Sequence, residues 1–363
     1  MLLTIIVFIL VIGLLIFVHE FGHFITAKKA GLKVEEFGFG FPPRVFGLKK
    51  GETIYSLNLL PIGGFVKIYG EEGRPDKEPE QESQRAFYNK PVRTRALILV
   101  AGVTMNLILA AFLFSLGYWL GLPSAIDDQA VNPGAKAQIV QVAPNSPAGQ
   151  AEIKMGDIVK QLAINGEQLT IDRVGQIQEF VSAHGGEEIT LVIQRGDEIL
   201  EKTLVPRVNP PAEEGPLGVA LVRTAIVSYP WYRAIPKGIV GTGYLIWAVA
   251  AAFGNLFWGL LTTGQLTEEI AGPVGIFVLT GQVVEYGFIY ILQFAITLSV
   301  ILAIINILPF PALDGGRLLF LAIEKIKGSP VNQKIERVTH LVGFAILILL
   351  MVVVTWRDVV HFF

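Results

Sequence analysis

The 363-residue sequence contains no cysteine. This absence excludes disulfide bonds, zinc sites built from thiolates and a cysteine nucleophile. Any transition metal that the chain binds must therefore be held by histidine, aspartate or glutamate side chains.

Charged residues are also scarce, at 17% of the chain, whereas 52% of the residues are hydrophobic. A typical soluble domain carries about 25% charged residues, so this composition predicts a membrane protein. The formal net charge is −2, and without a basic excess we expect no nucleic-acid partner.

Four apolar runs are long enough to cross a bilayer, which takes about 20 residues. The first has no basic segment before it and no small-residue cleavage pattern after it, so we interpret it as a retained span rather than a signal peptide. A fifth uncharged run, at about 236–266, is richer in glycine and threonine. The four predicted spans lie at about 2–27, 96–122, 288–313 and 340–361.

The orientation follows from the basic residues. The loop 28–95 holds thirteen Lys and Arg residues, and such loops stay in the cytoplasm. We therefore expect both termini and the segment 126–224 to be extracytoplasmic.

The stretch His19-Glu20-Phe21-Gly22-His23 ends the first span. Residues i and i+4 share one helix face, so the two imidazoles point at one spot. H-E-x-x-H on a helix is the zinc-peptidase signature, with two metal ligands and a glutamate that serves as general base. The alternative is a polar helix end at the water interface. Because a charge inside the membrane costs about 2.5–3.5 kcal/mol or more, a metal that satisfies the cluster is favoured.

A third ligand is predicted at the end of another apolar run, where Asp314 follows residues 288–313 without a charge. Pro309 and Pro311 break the helix, while Gly315 and Gly316 allow close approach. Broken backbone at membrane depth is tolerated only against protein or a water cavity. The alternative is that Asp314 caps a helix that starts near Gly316.

For Asp314 to reach the depth of His19 and His23, the number of crossings between residues 224 and 288 must be even. We therefore expect 236–266 to be interfacial or re-entrant. A simple fifth span would place Asp314 at the opposite face of the membrane.

Together, the H-E-x-x-H stretch and the N-x-x-P-x-P-x-L-D-G-G run at 306–316 resemble the site-2 protease family of intramembrane zinc metalloproteases, in its bacterial form. The resemblance implies that His19, His23 and Asp314 bind Zn²⁺ and that Glu20 is the catalytic base. It also implies a location in a bacterial cytoplasmic (inner) membrane. Asn306 matches the family asparagine near the active centre, and we predict that it holds the substrate backbone or the developing oxyanion. Pro309 and Pro311 are predicted to bind substrate beside it. The substrates that the resemblance implies are single-span membrane proteins, namely anti-sigma factors and remnant signal peptides.

Residues 51–70 are predicted to form two strands around Pro61-Ile62-Gly63-Gly64. They resemble the membrane re-entrant β-hairpin of the family, in which Asn58, Gly63 and Gly64 would contact an unwound substrate by strand addition. The alternative is a plain cytoplasmic hairpin. The family pattern A-G-P-x-x-N occurs at 101–106 without its proline.

The segment 126–224 resembles a PDZ domain, with Gly215, Leu217, Gly218 and Val219 as the loop and strand that would bind a peptide C-terminus. The alternative is a domain that only excludes bulky substrates by size.

The predicted fold class is a polytopic α-helical membrane protein with four transmembrane helices, a re-entrant β-hairpin and an inserted β-rich PDZ domain. Its parts are a membrane half at 1–125, the PDZ domain at 126–224 and a second membrane half at 225–363. His340 is interpreted as an interfacial residue. The rival functions are a non-catalytic PDZ scaffold and a metal transporter, since intramembrane His and Asp also mark ion paths.

Overall fold

The computed structural model describes residues 1–71, 73, 80–196, 198–211, 214–264 and 271–362. The chain divides into two compact units. The first comprises Met1–Leu116, Ile235–Val284 and Ile291–Phe363, and the second comprises Gly117–Ala234 and Glu285–Tyr290.

The helices are α1 (Leu2–Lys29), α2 (Glu80–Ser83), α3 (Val92–Leu120), α4 (Pro147–Gln150), α5 (Val174–Ala183), α6 (Trp231–Thr263), α7 (Pro273–Tyr286), α8 (Phe288–Ile307), α9 (Asp314–Lys327) and α10 (Gln333–Phe362). The strands are β1 (Val34–Lys50), β2 (Thr53–Ile68), β3 (Leu122–Ala125), β4 (Lys136–Val142), β5 (Ile158–Ile164), β6 (Glu167–Thr170), β7 (Ile189–Arg195), β8 (Glu198–Leu204) and β9 (Val219–Val227).

Within the described ranges, five helices are long and apolar enough to cross a membrane: α1, α3, α6, α8 and α10. Four of them correspond to the predicted spans but have other ends; α3, for example, runs from Val92 to Leu120 rather than over 96–122. α8 stops at Ile307 rather than near residue 313, because Pro309 and Pro311 remove backbone donors just beyond it. α10 begins at Gln333, seven residues before the predicted start of the last span.

The predicted interfacial segment 236–266 forms most of α6, a helix that begins earlier, at Trp231. Residues 265 and 266 lie outside the described part of the chain. The length and composition of α6 would also suit a crossing, so its interfacial placement stays a prediction.

The predicted hairpin at 51–70 is part of a larger sheet formed by β1 and β2. Both strands bend, and residues 34–39 lie between the two halves of β2. Phe37, for example, pairs with Val66 on one side and with Tyr55 on the other. The sequence predicted that the two halves of β2 would pair with each other around Pro61, and this prediction is wrong. Both halves pair with β1 instead, and the tight turn lies at Gly51 and Glu52.

The second unit contains a seven-stranded sheet in the order β3-β9-β4-β5-β7-β8, with β6 paired to β5. The turn at Asn165-Gly166 joins β5 to β6, and both residues have positive φ, as a tight hairpin turn requires. The core is aliphatic and includes Ile139, Leu162, Ile177, Leu191 and Ile193, each at most 1% exposed. This unit extends beyond the predicted 126–224 on both sides and gains residues 285–290.

Candidate metal centre

The first unit brings three predicted ligand atoms together. The Nε2 atoms of His19 and His23 are 3.1 Å apart. Asp314 Oδ2 lies 3.1 Å from the first nitrogen and 3.2 Å from the second. The two histidines are buried and the aspartate is partly buried. One carboxylate oxygen and two imidazole nitrogens thus form a nearly equilateral triangle.

This triangle fits one face of a zinc tetrahedron. With metal–ligand bonds of about 2.0–2.1 Å, two ligands of a tetrahedral zinc ion lie about 3.3–3.4 Å apart. The observed separations of 3.1–3.2 Å need to open by only a few tenths of an ångström. Asp314 Oδ2 is buried without a hydrogen-bond partner among the described residues. An oxygen in that state is suited to ligate a cation.

The backbone of α3 orients His23. Its Nδ1 lies 2.8 Å from the carbonyl oxygen of Ile98. A carbonyl can only accept a hydrogen bond, so Nδ1 carries the proton and the lone pair remains on Nε2. A hydrogen bond of this kind, made by the ring nitrogen that does not bind the metal, fixes the tautomer of metal-binding histidines.

Asn106, also on α3, occupies the corresponding position beside His19. Its side chain is fully buried, and its amide lies 3.4 Å from His19 Nδ1. If Nε2 of His19 ligates a metal, Nδ1 carries a proton and needs an acceptor. The Oδ1 atom of Asn106 has no partner among the described residues, so rotating the amide by 180° would provide that acceptor.

Asn106 ends the stretch 101–106, which resembles a family pattern, but it was not among the predicted site residues. The signal was available, because Gly102 and Asn106 are four residues apart and so share one face of α3. A Cβ on Gly102 would lie 2.3 Å from His23 Nε2. A side chain at position 102 of α3 would therefore displace His23.

Glu20 follows His19 on α1 and lines a cavity of about 720 Å³ together with the three predicted ligands. The cavity is also lined by charged side chains, which include Lys67, Glu71 and Arg317. Arg317 donates a hydrogen bond to Glu71. A lining of this kind is suited to admit water.

Asp314 is the first residue of α9, and the preceding Leu313 makes no side-chain cap hydrogen bond. The alternative was that Asp314 caps a helix that starts near Gly316. The helix instead starts at Asp314, and the carboxylate of Asp314 contacts His19 and His23. Gly315 allows close packing here: a Cβ on it would lie 2.1 Å from the carbonyl oxygen of Leu308.

The other predicted site residues of this unit have different surroundings. A Cβ built on Gly64 would lie 3.5 Å from the Cγ atom of Glu20, so β2 passes directly beside the predicted base. Gly63, with φ +97°, stands before it. The buried Asn58 side chain donates to the carbonyl oxygen of Gly40 at 3.1 Å, inside the sheet. Asn306 is partly exposed near the end of α8, Pro309 is exposed and Pro311 is partly exposed.

The predicted peptide-binding loop lies in the second unit. Gly218 and Leu217 accept hydrogen bonds from the backbone of Ala143 and Ala148, and the Leu217 side chain is buried. Val219 opens β9 and pairs with Val142 of β4. The opposite edge of β9 pairs with β3 only over Thr224–Val227.

The chain is similar over nearly its full length to known proteins. The profile of Peptidase family M50 matches residues 7–350. A zinc metalloprotease RasP of Oceanobacillus iheyensis is 31% identical over 99% of both chains. A zinc metalloprotease RasP of Geobacillus kaustophilus is 34% identical over 99% of this chain and 98% of its own. A protein of Bacillus subtilis named regulator of sigma-W protease RasP is 31% identical over 99% of both chains.

Proposed function

The chain belongs to peptidase family M50, the site-2 proteases, and is an intramembrane zinc metalloprotease of RasP type in a bacterial membrane; on this premise we propose which residues act and what they cleave. The zinc ligands are His19, His23 and Asp314, and Glu20 is the general base. The observation that carries the assignment is the triangle of 3.1–3.2 Å between the three ligand atoms.

Each group has a chemical role. His19, His23 and Asp314 would hold the zinc ion, which when bound would supply Lewis-acid activation of a peptide carbonyl and of water. Glu20 accepts a proton from the attacking water and delivers it to the leaving nitrogen. His23 and His19 hold their positions through the Ile98 carbonyl and the Asn106 amide.

Substrate binds along β2 as an added strand. A helix buries its own peptide hydrogen bonds, so a transmembrane substrate must unwind before its carbonyl can be attacked. Residues 64–68 pair with β1 on one side only among the described strands, and Gly64 of this edge adjoins Glu20. Gly63 and Gly64 then contact the substrate backbone, and Asn58 supports the sheet from within. Asn306, Pro309 and Pro311 form the other wall of the substrate site.

The metal centre faces the cytoplasmic side, and the second unit is extracytoplasmic. Thirteen Lys and Arg residues in the loop 28–95 support this orientation. The chain leaves the second unit after Ala234 and rejoins it at Glu285. An even number of crossings between these two points would let α8 run inward and deliver Asp314 to the depth of the histidines.

The substrates are single-span membrane proteins. The name of the Bacillus subtilis relative, regulator of sigma-W protease, supports an anti-sigma factor as one such substrate. Remnant signal peptides have the same chemistry, a single apolar helix without a large external domain. The second unit acts as a PDZ domain whose groove lies between α5 and the edge of β9 at 219–223, and Gly215, Leu217, Gly218 and Val219 form its loop.

The test is the cleavage of a single-span reporter in vesicles by wild type and Glu20→Gln, with the zinc content of both measured. Glutamine keeps the size of the side chain and removes the base, so we expect full zinc content and a loss of cleavage of at least about 100-fold. Cleavage at the wild-type rate would refute the role of Glu20. Equal and negligible cleavage by both proteins would support the scaffold alternative.

A further inference from the structure

The loop that carries Asp314 into the site has a backbone with few internal hydrogen bonds. Phe310 N–H donates to the carbonyl of Leu308, and Leu313 N–H donates to the carbonyl of Phe310. Pro309 and Pro311 have no N–H to donate. The remaining donor between the prolines and the metal ligand is the N–H of Ala312.

Ala312 has φ +79°, the only described residue outside the second unit that combines a positive φ with a side chain. Such a conformation is sparsely populated by L-residues and persists only where the surroundings hold it. It turns the chain so that Leu313 and Asp314 enter α9 beside the histidines. What holds Ala312 therefore determines where Asp314 lies.

The partner of Ala312 is His340 on α10. The Ala312 N–H donates to His340 Nδ1 at 3.0 Å. Because an amide can only donate, Nδ1 is the unprotonated nitrogen of this ring. The ring is partly buried and packs against Phe320 of α9, with centroids 5.5 Å apart. One imidazole thus contacts both the loop before Asp314 and the helix after it.

A second contact of α10 lies three residues further along the same face. A Cβ on Gly343 would stand 2.4 Å from Pro311 Cβ and 2.6 Å from the Pro311 carbonyl oxygen. Only glycine allows α10 to approach the loop this closely. His340 and Gly343 therefore form a matched surface, one supplying an acceptor and the other leaving room for Pro311.

We propose that His340 is a positioning residue of the zinc centre: it fixes the backbone of Ala312 and thereby places the carboxylate of Asp314 between His19 and His23. The inference rests on the proposed function, because it takes Asp314 to be a zinc ligand. α10 supplies none of the proposed ligands, but through His340 it would position Asp314.

The test is a double-mutant cycle on zinc affinity, measured by chelator competition with the purified full-length protein in detergent. His340→Leu removes the acceptor, and loss of such outer-shell support weakens metal binding about 10–100-fold. His340→Asn keeps an acceptor oxygen at the Nδ1 position, so we expect it to restore most of the affinity. In the Asp314→Ala background, His340→Leu should cause no further loss, because the ligand it positions is gone.

Val342→Ala is the matched control on α10, since Val342 is 52% exposed and should leave zinc affinity unchanged. Thermal unfolding of each variant separates misfolding from loss of ligand placement. Should His340→Leu misfold, Gly343→Ala offers a second route, because it displaces Pro311 and should also weaken zinc binding.

Three outcomes decide the matter. The pattern above supports the inference. A loss with His340→Leu that is equally large with and without Asp314, or that asparagine does not relieve, would overturn it and leave the ligand assignment intact. Unchanged affinity in Asp314→Ala alone would instead remove the ligand assignment, and the inference with it.

Discussion

At the residue scale, the site depends on how each imidazole is held at its second nitrogen. Nδ1 of His23 is bound to a backbone carbonyl, whose position is fixed by α3 itself. Nδ1 of His19 is held by the side chain of Asn106, which a single substitution can remove. The two proposed ligands are therefore not equally sensitive to mutation.

We predict that Asn106→Leu lowers zinc affinity about 10–100-fold, because His19 loses its orienting acceptor while the buried volume is kept. Asn106→Asp retains an acceptor and should bind zinc more tightly than the leucine variant. Chelator competition measures both effects.

Ser299→Ala serves as the control for this prediction. Ser299 Oγ donates to the backbone carbonyl of Asn106 at 2.8 Å and does not contact the amide. Its loss should leave zinc affinity near the wild-type value. If the alanine and leucine variants weakened zinc binding equally, Asn106 would act through packing alone.

The sequence predicted the residues whose chemistry is local. His19, Glu20 and His23 follow from spacing on one helix, and Asp314 from its place after an apolar run. Asn106 and His340 were not predicted to act at the site. Asn106 lies 87 residues from His19 in the sequence, and His340 lies 28 residues from Ala312. Amide or imidazole side chains in a span also have no characteristic spacing.

At the element scale, the sheet of β1 and β2 is tied to the end of α1 at its turn. Glu52 accepts hydrogen bonds from both guanidinium ends of Arg85 at 2.7 Å and from Lys28 at 2.8 Å. Arg85, followed by Lys28, lowers the pKa of Glu52 from 4.5 to about 2. This clamp fixes the sheet to the helix that carries Glu20.

The clamp predicts a pH dependence. Because the pKa of Glu52 is lower in the folded than in the unfolded chain, its contribution to stability is complete above about pH 4.5 and is lost as the pH falls toward 2. The effect is modest, since these side chains are partly exposed. It is measured as the ratio of pepsin cleavage rates within residues 34–68 in Glu52→Gln and wild type.

We expect the variant to be cleaved faster at pH 5 and the ratio to approach one near pH 2. Taking the ratio at each pH cancels the pH profile of pepsin itself. A ratio that stays constant from pH 5 to pH 2 would show that the clamp does not hold the sheet.

The element boundaries show what the sequence could not specify. β1 runs as one strand through Pro42-Pro43, with an irregular register between Phe39 and Phe46. Pairing between residues 34–39 and both halves of β2 is a non-local arrangement. No residue pattern within 51–70 distinguishes this three-part pairing from a simple hairpin.

At the scale of the whole molecule, the segment 126–224 is an insertion whose two ends lie next to each other. Ala125 pairs with Thr224, and the N–H of Ile126 donates to the Arg223 carbonyl at 2.8 Å. The chain before and after the insertion can thus be joined directly. This arrangement suits a domain that controls access without contributing to the chemistry.

We predict that deleting residues 127–223, with Ile126 joined to Thr224, lets the protease cleave single-span proteins that still carry a bulky external domain. Wild type should cleave them only after that domain is trimmed. Both proteins should cleave a pre-trimmed reporter at similar rates, which serves as the control for folding. Unchanged discrimination by the deletion variant would remove the size-exclusion role.

The five long apolar helices coincide with apolar runs in the sequence, but run length does not determine how many of them cross the membrane. The composition of α6 suits both an interfacial and a spanning helix. The return of residues 285–290 to the second unit is a tertiary feature without a sequence pattern.

The most direct test of the central claim is anomalous diffraction at the zinc edge from crystals of the purified protein. We predict one anomalous peak per chain, within about 2.0–2.2 Å of the Nε2 atoms of His19 and His23 and of an oxygen of Asp314. A peak elsewhere in the molecule, or one bonded to the histidines with Asp314 too distant to ligate, would contradict the account.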